Sequence, residues 1–305
     1  MREADAKRPS TRRSYEERIL RALTFIQAHL DEALSPAALA AEARFSPHHF
    51  HRIFRGMVGE SVMRHIRRLR LERAAWQLKF SDRPVTRIAF DAGYEAHEAF
   101  TRAFGAMFGV PPNGFRERHR RLDYPPVPCG VHFDPQGRVQ SLDPLGTPSS
   151  AAVEIVTEAP RQVVFLRHVG PYDGVSETWS RLMTWAGAAG LLGPGNEMLG
   201  LCYDDPEVTA AEKIRYDACL VVAGGAEAEG PVGAREIPGG DYAVCRHVGP
   251  YDRLSQTYLE LIGRWLPRSG REAAGVASVE RYWNDPENTP PEELETDLCL
   301  LLLPR

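Results

Sequence analysis

Through roughly the first 120 residues apolar positions recur at helical spacing, and Pro and Gly fall mainly where helices begin and end. Ser35-Pro36 is an N-cap followed by proline at the first helical position, and Leu39 and Ala40 then face inward. The chain turns at Ala43 to Phe45, and Ser46-Pro47 repeats the start signal for a helix whose buried stripe is Phe50, Ile53 and Phe54. The spacing sets His48, His51, Arg52 and Arg55 on the outer face of that helix. The pattern recurs with Pro84, Val85, Ile88 and Ala89, a turn at Gly93, Phe100 and Phe104 inside, and His97, Glu98, Thr101 and Arg102 outside. A long helix over 61–78 separates the two units, and its Arg64, Arg67, Arg68, Arg70 and Arg73 are candidates for contacts to a phosphate backbone.

Residues 122–150 are dense in Pro, Gly and Ser and lack periodicity beyond a short GVHF, which marks a linker. Beyond it, β-branched runs such as VEIVT, QVVFLRHV and ACLVV alternate with two amphipathic stretches, GVSETWSRLMTWAGAA and RLSQTYLELIGRWL. Each half repeats itself. Phe50, Arg52 and Phe54 align with Phe100, Arg102 and Phe104 at an offset of 50, and RHVGPYD occurs at 167 and again at 246. The expected architecture is an all-α double helix-turn-helix domain over 15–121, after a flexible N-terminus over 1–14. The linker follows, and then an α+β domain over 151–305 built from two strand-helix-strand repeats with pseudo-twofold symmetry.

Composition narrows the class. Of 305 residues, 43% are hydrophobic and 26% charged, a globular profile, and no apolar run is long enough to cross a bilayer. A polar start without a signal-like apolar core points to the cytoplasm. The five cysteines are scattered and never form CxxC, so buried free thiols are expected, with neither disulfides nor zinc. His48, His49 and His51 lack a carboxylate or thiol spaced to complete a metal site, and no cofactor is expected. Charge divides unevenly. Residues 1–124 hold 23 Lys and Arg against 15 Asp and Glu, or +8, and the remainder hold 14 against 26, or −12. A basic first half suits a polyanion, and an acidic second half suits cations.

The phrases GESVMRHIRRLRLERAAWQL and PVTRIAFDAGYEAHEAFTRAFGAMFGVPPNGFR resemble the AraC/XylS-type DNA-binding domain over residues 15–120. That resemblance implies two recognition helices in adjacent major-groove segments of double-stranded DNA, and RNA polymerase as a further partner. Position by position, it makes His48, His51, Arg52, His97, Glu98 and Arg102 the base-reading candidates. Two departures stand out. Arg44 occupies the turn position held by Gly93, and Ala96 occupies the cap position held by Ser46, which predicts a frayed start to the second recognition helix.

RHVGPYD, YDDPEVTAAEKIRYDACLVV and YWNDPENTPPEELETDLCLLL resemble the GyrI-like effector-binding domain, which implies a cleft between two repeats that takes a small molecule. The residues add their own argument. Alternation along 276–283 sets Val276, Ser278, Glu280 and Tyr282 on one face, and the first repeat has Gly200 where the second has Glu280. An inward carboxylate opposite a glycine predicts a cleft holding one anionic group, unless Glu280 pairs with Arg167 or Arg246. Tyr172, Trp179, Tyr203, Tyr251, Tyr258, Tyr282 and Trp283 are the candidate walls, suited to a cationic aromatic effector. The chain is therefore expected to be a ligand-responsive transcription regulator and not an enzyme. The alternative is a hydrolase of small organic compounds with Glu280 as general base, fused to a DNA-binding domain.

Overall fold

The computed structural model describes residues 11–117, 122–139, 142, 149–193, 195–224 and 230–305, the side chains of residues 11–13 and 48 excepted. The chain divides into two units with the boundary between Thr147 and Pro148.

The first unit is helical: α1 (Thr11–Ala28), α2 (Pro36–Glu42), α3 (Pro47–Val58), α4 (Val62–Phe80), α5 (Val85–Asp91), α6 (His97–Phe108) and α7 (Pro112–Glu117). Helix already begins at Thr11, so the last four residues of the expected flexible N-terminus are ordered; residues 1–10 lie outside the described residues. Ser35 caps α2 as its sequence predicts, accepting from the Ala38 amide at 3.2 Å. The α2–α3 and α5–α6 turns share one geometry. Arg44 (φ 55°) and Gly93 (φ 83°) both adopt left-handed backbone, and the next amides, Phe45 and Tyr94, reach back to Ala40 O and Ala89 O at 2.9 and 3.1 Å. Arg44 is the described non-glycine residue with positive φ, and a turn that its twin fills with glycine accounts for it. Phe50 packs on Phe54 and Phe100 on Phe104, with ring centroids 5.7 and 5.5 Å apart.

A short part of the expected linker packs against the first unit. Cys129 and Val131 are buried. Gln27 of α1 donates to His132 O at 2.6 Å, and Glu72 of α4 accepts from the Phe133 amide at 2.8 Å. Residues 129–133 thus form a strap fastened to α1 and α4, because a buried carboxylate offers acceptors that an aperiodic backbone can satisfy.

The second unit holds an eight-stranded antiparallel sheet: β1 (Val153–Glu158), β2 (Arg161–Val169), β3 (Met198–Cys202), β4 (Arg215–Val221), β5 (Val232–Ile237), β6 (Gly240–Val248), β7 (Ser278–Tyr282) and β8 (Glu295–Leu301). The strand order is β1-β6-β8-β7-β3-β4-β2-β5. Helix α8 (Val175–Ala188) follows β2, and α9 (Leu254–Tyr258) follows β6 and runs on as a π-helical stretch over Leu259–Trp265. Leu182 and Ala186 of α8 pack with Val164, Leu166, Ala218 and Leu220, which share one face of the sheet by alternation. All five cysteines are free and buried. Among the described residues no helix is long and apolar enough to cross a membrane.

Candidate functional site

Two regions carry the chemistry that the sequence singles out. In the first unit, helical geometry decides which side chains reach outward. His51 stands one turn before Phe54 and two turns before Val58, which puts it on the buried side of α3, and it is 3% exposed. It is therefore not an outer-face residue, contrary to expectation. Arg52 and Arg55 are half-buried on the far side of the helix; the His48 side chain lies outside the described residues. On α6, Glu98 and Arg102 are exposed, while His97 and Thr101 are half-buried and approach each other, Nε2 to Oγ1, at 3.5 Å.

The expected contrast in capping is absent. Ser46 does not cap α3 with its side chain, its hydroxyl instead meeting His49 Nδ1 at 3.2 Å, so α3 and α6 both start without a side-chain cap.

The arginines of α4 separate into two groups. Arg64 and Arg67 are exposed. Arg68 is not: it donates to Glu60 Oε1 at 2.6 Å, to Glu72 Oε1 at 2.8 Å and to Val131 O at 3.0 Å. Arg73 is likewise buried, donating to Asp31 and to Asp91 O. Arg70 donates to Leu30 O and Glu32 O. A guanidinium held by two carboxylates inside the fold cannot also meet a phosphate, so the phosphate role expected for Arg68 is withdrawn. Burial alone would raise the Glu60 carboxyl, but hydrogen bonds from His65 and Arg68 and the Arg68 charge outweigh it and bring the pKa down to about 2. Ligand atoms of Glu60, His65 and Cys129 lie within 4.8 Å of one another. Arg68 already supplies the positive charge there, which disfavours a metal ion.

In the second unit, β3 and β7 are the central pair, and Gly200 faces Glu280 across them. Glu280 is buried. Its Oε1 accepts from Tyr258 Oη at 2.9 Å and Cys202 Sγ at 3.1 Å, and its Oε2 accepts from Tyr282 Oη at 2.6 Å. The Tyr216 and Tyr282 hydroxyls are 2.9 Å apart, and Trp179 Nε1 donates to Tyr216 Oη at 3.1 Å. Burial, with Glu280 adding to it, holds both tyrosines well above their ordinary pKa. They stay protonated, and the direction of the chain follows: Trp179 to Tyr216, Tyr216 to Tyr282, Tyr282 to Glu280. A Cβ on Gly200 would lie 2.6 Å from each tyrosine hydroxyl, so the space opposite Glu280 belongs to that pair.

Around this chain Trp179 and Tyr251 stand edge-on to Tyr282, at 6.0 and 5.8 Å, and Tyr172 stands edge-on to Tyr216 at 6.2 Å. Burial, with Glu280 adding to it, pushes the Tyr251 hydroxyl up to about 12.

Glu280 does not pair with the expected arginines. Arg167 Nη2 donates to Asp217 Oδ2 at 3.0 Å, and Arg246 Nη2 to Asp297 Oδ2 at 3.1 Å. Two candidate walls also fall away. Tyr203 Oη donates to Asp217 and Trp283 Nε1 to Asp297, each at 2.7 Å, on the opposite sheet face. Period-two alternation requires this, since Trp283 is odd where Glu280 is even. Tyr216 and Cys202 were missed by sequence reasoning. The signal was the same parity, which places Cys202 beside Gly200 on β3 and Tyr216 opposite Cys202.

Residues 151–303 match the GyrI-like small molecule binding domain, and residues 39–118 match a helix-turn-helix domain. The chain belongs to the GyrI-like family and carries an AraC-type helix-turn-helix domain ahead of that region. YgiV of Escherichia coli K12, a probable transcriptional regulator, is 33% identical over 143 residues, covering 46% of this chain and 89% of its own. The right origin-binding protein of the same strain is 23% identical over 288 residues, 92% of this chain and 96% of that protein. The uncharacterized HTH-type transcriptional regulator YbfP of Bacillus subtilis strain 168 is 38% identical over 108 residues, 35% of this chain and 37% of that protein. These matches define a DNA-binding transcription regulator with a small-molecule-binding domain.

Proposed function

We propose that α3 and α6 read two neighbouring major-groove segments and that a cationic aromatic effector, bound over Glu280, governs transcription in the cytoplasm through RNA polymerase. Arg52 on α3 and Arg102 on α6 are the leading base readers, because they occupy equivalent places in two units with the same turns and the same phenylalanine pairs. Arg55, Glu98 and Thr101 complete the reading faces, and Arg64 contacts phosphate.

The observation that carries the effector reading is Glu280. It is a buried carboxylate with three neutral donors and, among the described residues, no hydrogen bond or ion pair to Lys, Arg or His. Such a charge is costly in isolation, and a bound cation offsets the cost, with Tyr172, Trp179, Tyr251 and Tyr282 presenting aromatic surface to it. Both of its oxygens already accept from neighbouring donors, which favours an anchor over the general base of a hydrolase. The second unit is read as two strand-helix-strand repeats about a pseudo-twofold axis between β3 and β7. The strand order supports this, since exchanging β1 to β4 for β5 to β8 returns the same order reversed.

Selection of duplexes from a random pool by the full chain tests the DNA reading. It is expected to return two specified segments about one helical turn apart. Arg52→Ala and Arg102→Ala should each blur one segment, at ~1–3 kcal/mol. An unchanged motif in either variant overturns the assignment of that helix.

A further inference from the structure

The twice-repeated RHVGPYD segment does more than end a strand. His168 Nδ1 lies 3.2 Å from Thr178 Oγ1 of α8, and its Nε2 lies 2.9 Å from Pro171 O. His247 makes the same pair of contacts, 2.8 Å to Thr257 Oγ1 of α9 and 3.2 Å to Pro250 O. A carbonyl oxygen can only accept, so Nε2 carries the hydrogen in both rings and Nδ1 faces the threonine hydroxyl. Each ring therefore spans from its strand end to the following helix and fastens the Gly-Pro-Tyr turn between them. The residue after each fastened proline is Tyr172 or Tyr251, and each of these is 38% exposed, so they form the rim of the aromatic cluster.

We propose that His168 and His247 are positioning residues that hold the two tyrosine rims of the effector cleft, with His247 the more important. The proposal rests on the reading of the Glu280 cluster as the effector site. The ranking follows from the wiring. Tyr251 packs on Tyr282, which donates directly to Glu280, whereas Tyr172 packs on Tyr216, one hydrogen bond further away. His247 is also the more buried of the two rings.

Side-chain geometry supplies a discriminating test. The amide nitrogen of Gln reaches as far from Cβ as imidazole Nε2, whereas that of Asn reaches only as far as Nδ1. Only His247→Gln can keep the donor to Pro250 O. The full-length protein and its His247→Gln, His247→Asn and His168→Asn variants would be titrated with a rhodamine ethyl ester, a permanent aromatic cation. Hydrogen exchange would be followed at the Gly249 and Arg253 amides, which bond Leu294 O and Pro250 O around the turn. His247→Asn is expected to weaken dye binding about tenfold and to speed exchange at both amides by a similar factor, the effect of one lost hydrogen bond. His247→Gln should stay within about twofold of the parent, and His168→Asn should fall between them. Equal losses in the Gln and Asn variants, or parent-like exchange in His247→Asn, would overturn the proposal. Equal dye affinity in the parent and in Glu280→Gln would instead overturn the reading of the cleft, and the exchange data would still decide the histidine role.

Discussion

Gly200 faces Glu280 across the central strand pair, and the two tyrosine hydroxyls that would collide with a Cβ at Gly200 are those that extend the hydrogen-bond chain to the carboxylate. Gly200→Ala must therefore push Tyr216 and Tyr282 out of place in a packed layer. A loss of about 1–3 kcal/mol is expected, together with weaker dye binding. Thermal melts and dye titrations check this, and a variant with unchanged melting and affinity would contradict the placement of the hydroxyl pair.

Arg64 and Arg68 stand one turn apart on α4 and should behave in opposite ways. Arg68→Ala strands Glu60 and Glu72 inside the fold, at about 3–5 kcal/mol. Arg64→Ala, at an exposed position, should leave stability within about 0.5 kcal/mol. It should weaken DNA binding alike for all sequences and lower the salt slope by about one. Urea denaturation and salt-dependent DNA titrations separate the two, and a stable Arg68→Ala that lost only DNA affinity would restore the phosphate role.

How far the sequence alone leads is visible in these residues. The paired turns at Arg44 and Gly93, the Ser35 cap and the phenylalanine pairs are local, and periodicity and cap chemistry reveal them. The burial of His51 and the outward turn of Trp283 were also within reach, because i+7 spacing to Val58 and strand parity determine them. The burial of Arg68 was not. Glu72 lies one turn away, but Val131, 63 residues on, shares the same guanidinium, and nothing in an aperiodic stretch rich in Pro and Gly announces that it packs. Likewise the tie from Tyr216 to Glu280 passes through Tyr282, 66 residues from Tyr216, and depends on the pairing of β3 with β7.

The depressed Glu60 carboxyl makes the first unit sensitive to acid. Its folded pKa of about 2 lies below the ordinary 4.5, so its contribution is fully present above pH 4.5 and is lost as the pH falls toward 2. The loss should be on the order of 3 kcal/mol. Glu60→Gln should remove that contribution at neutral pH and flatten the acid limb. Hydrogen exchange at α4 amides as a function of pH measures it, and an acid limb of unchanged steepness in the variant would contradict the network at Arg68.

The account stands most directly on the charge at Glu280. Titration of the full-length protein and of Glu280→Gln with a rhodamine ethyl ester, alongside thermal melts of both, isolates it. The near-isosteric change keeps the volume and removes the charge, so stability should hold within about 1 kcal/mol while affinity for the cation falls tenfold or more, about 1.4 kcal/mol. Equal affinity in the two proteins would contradict the account.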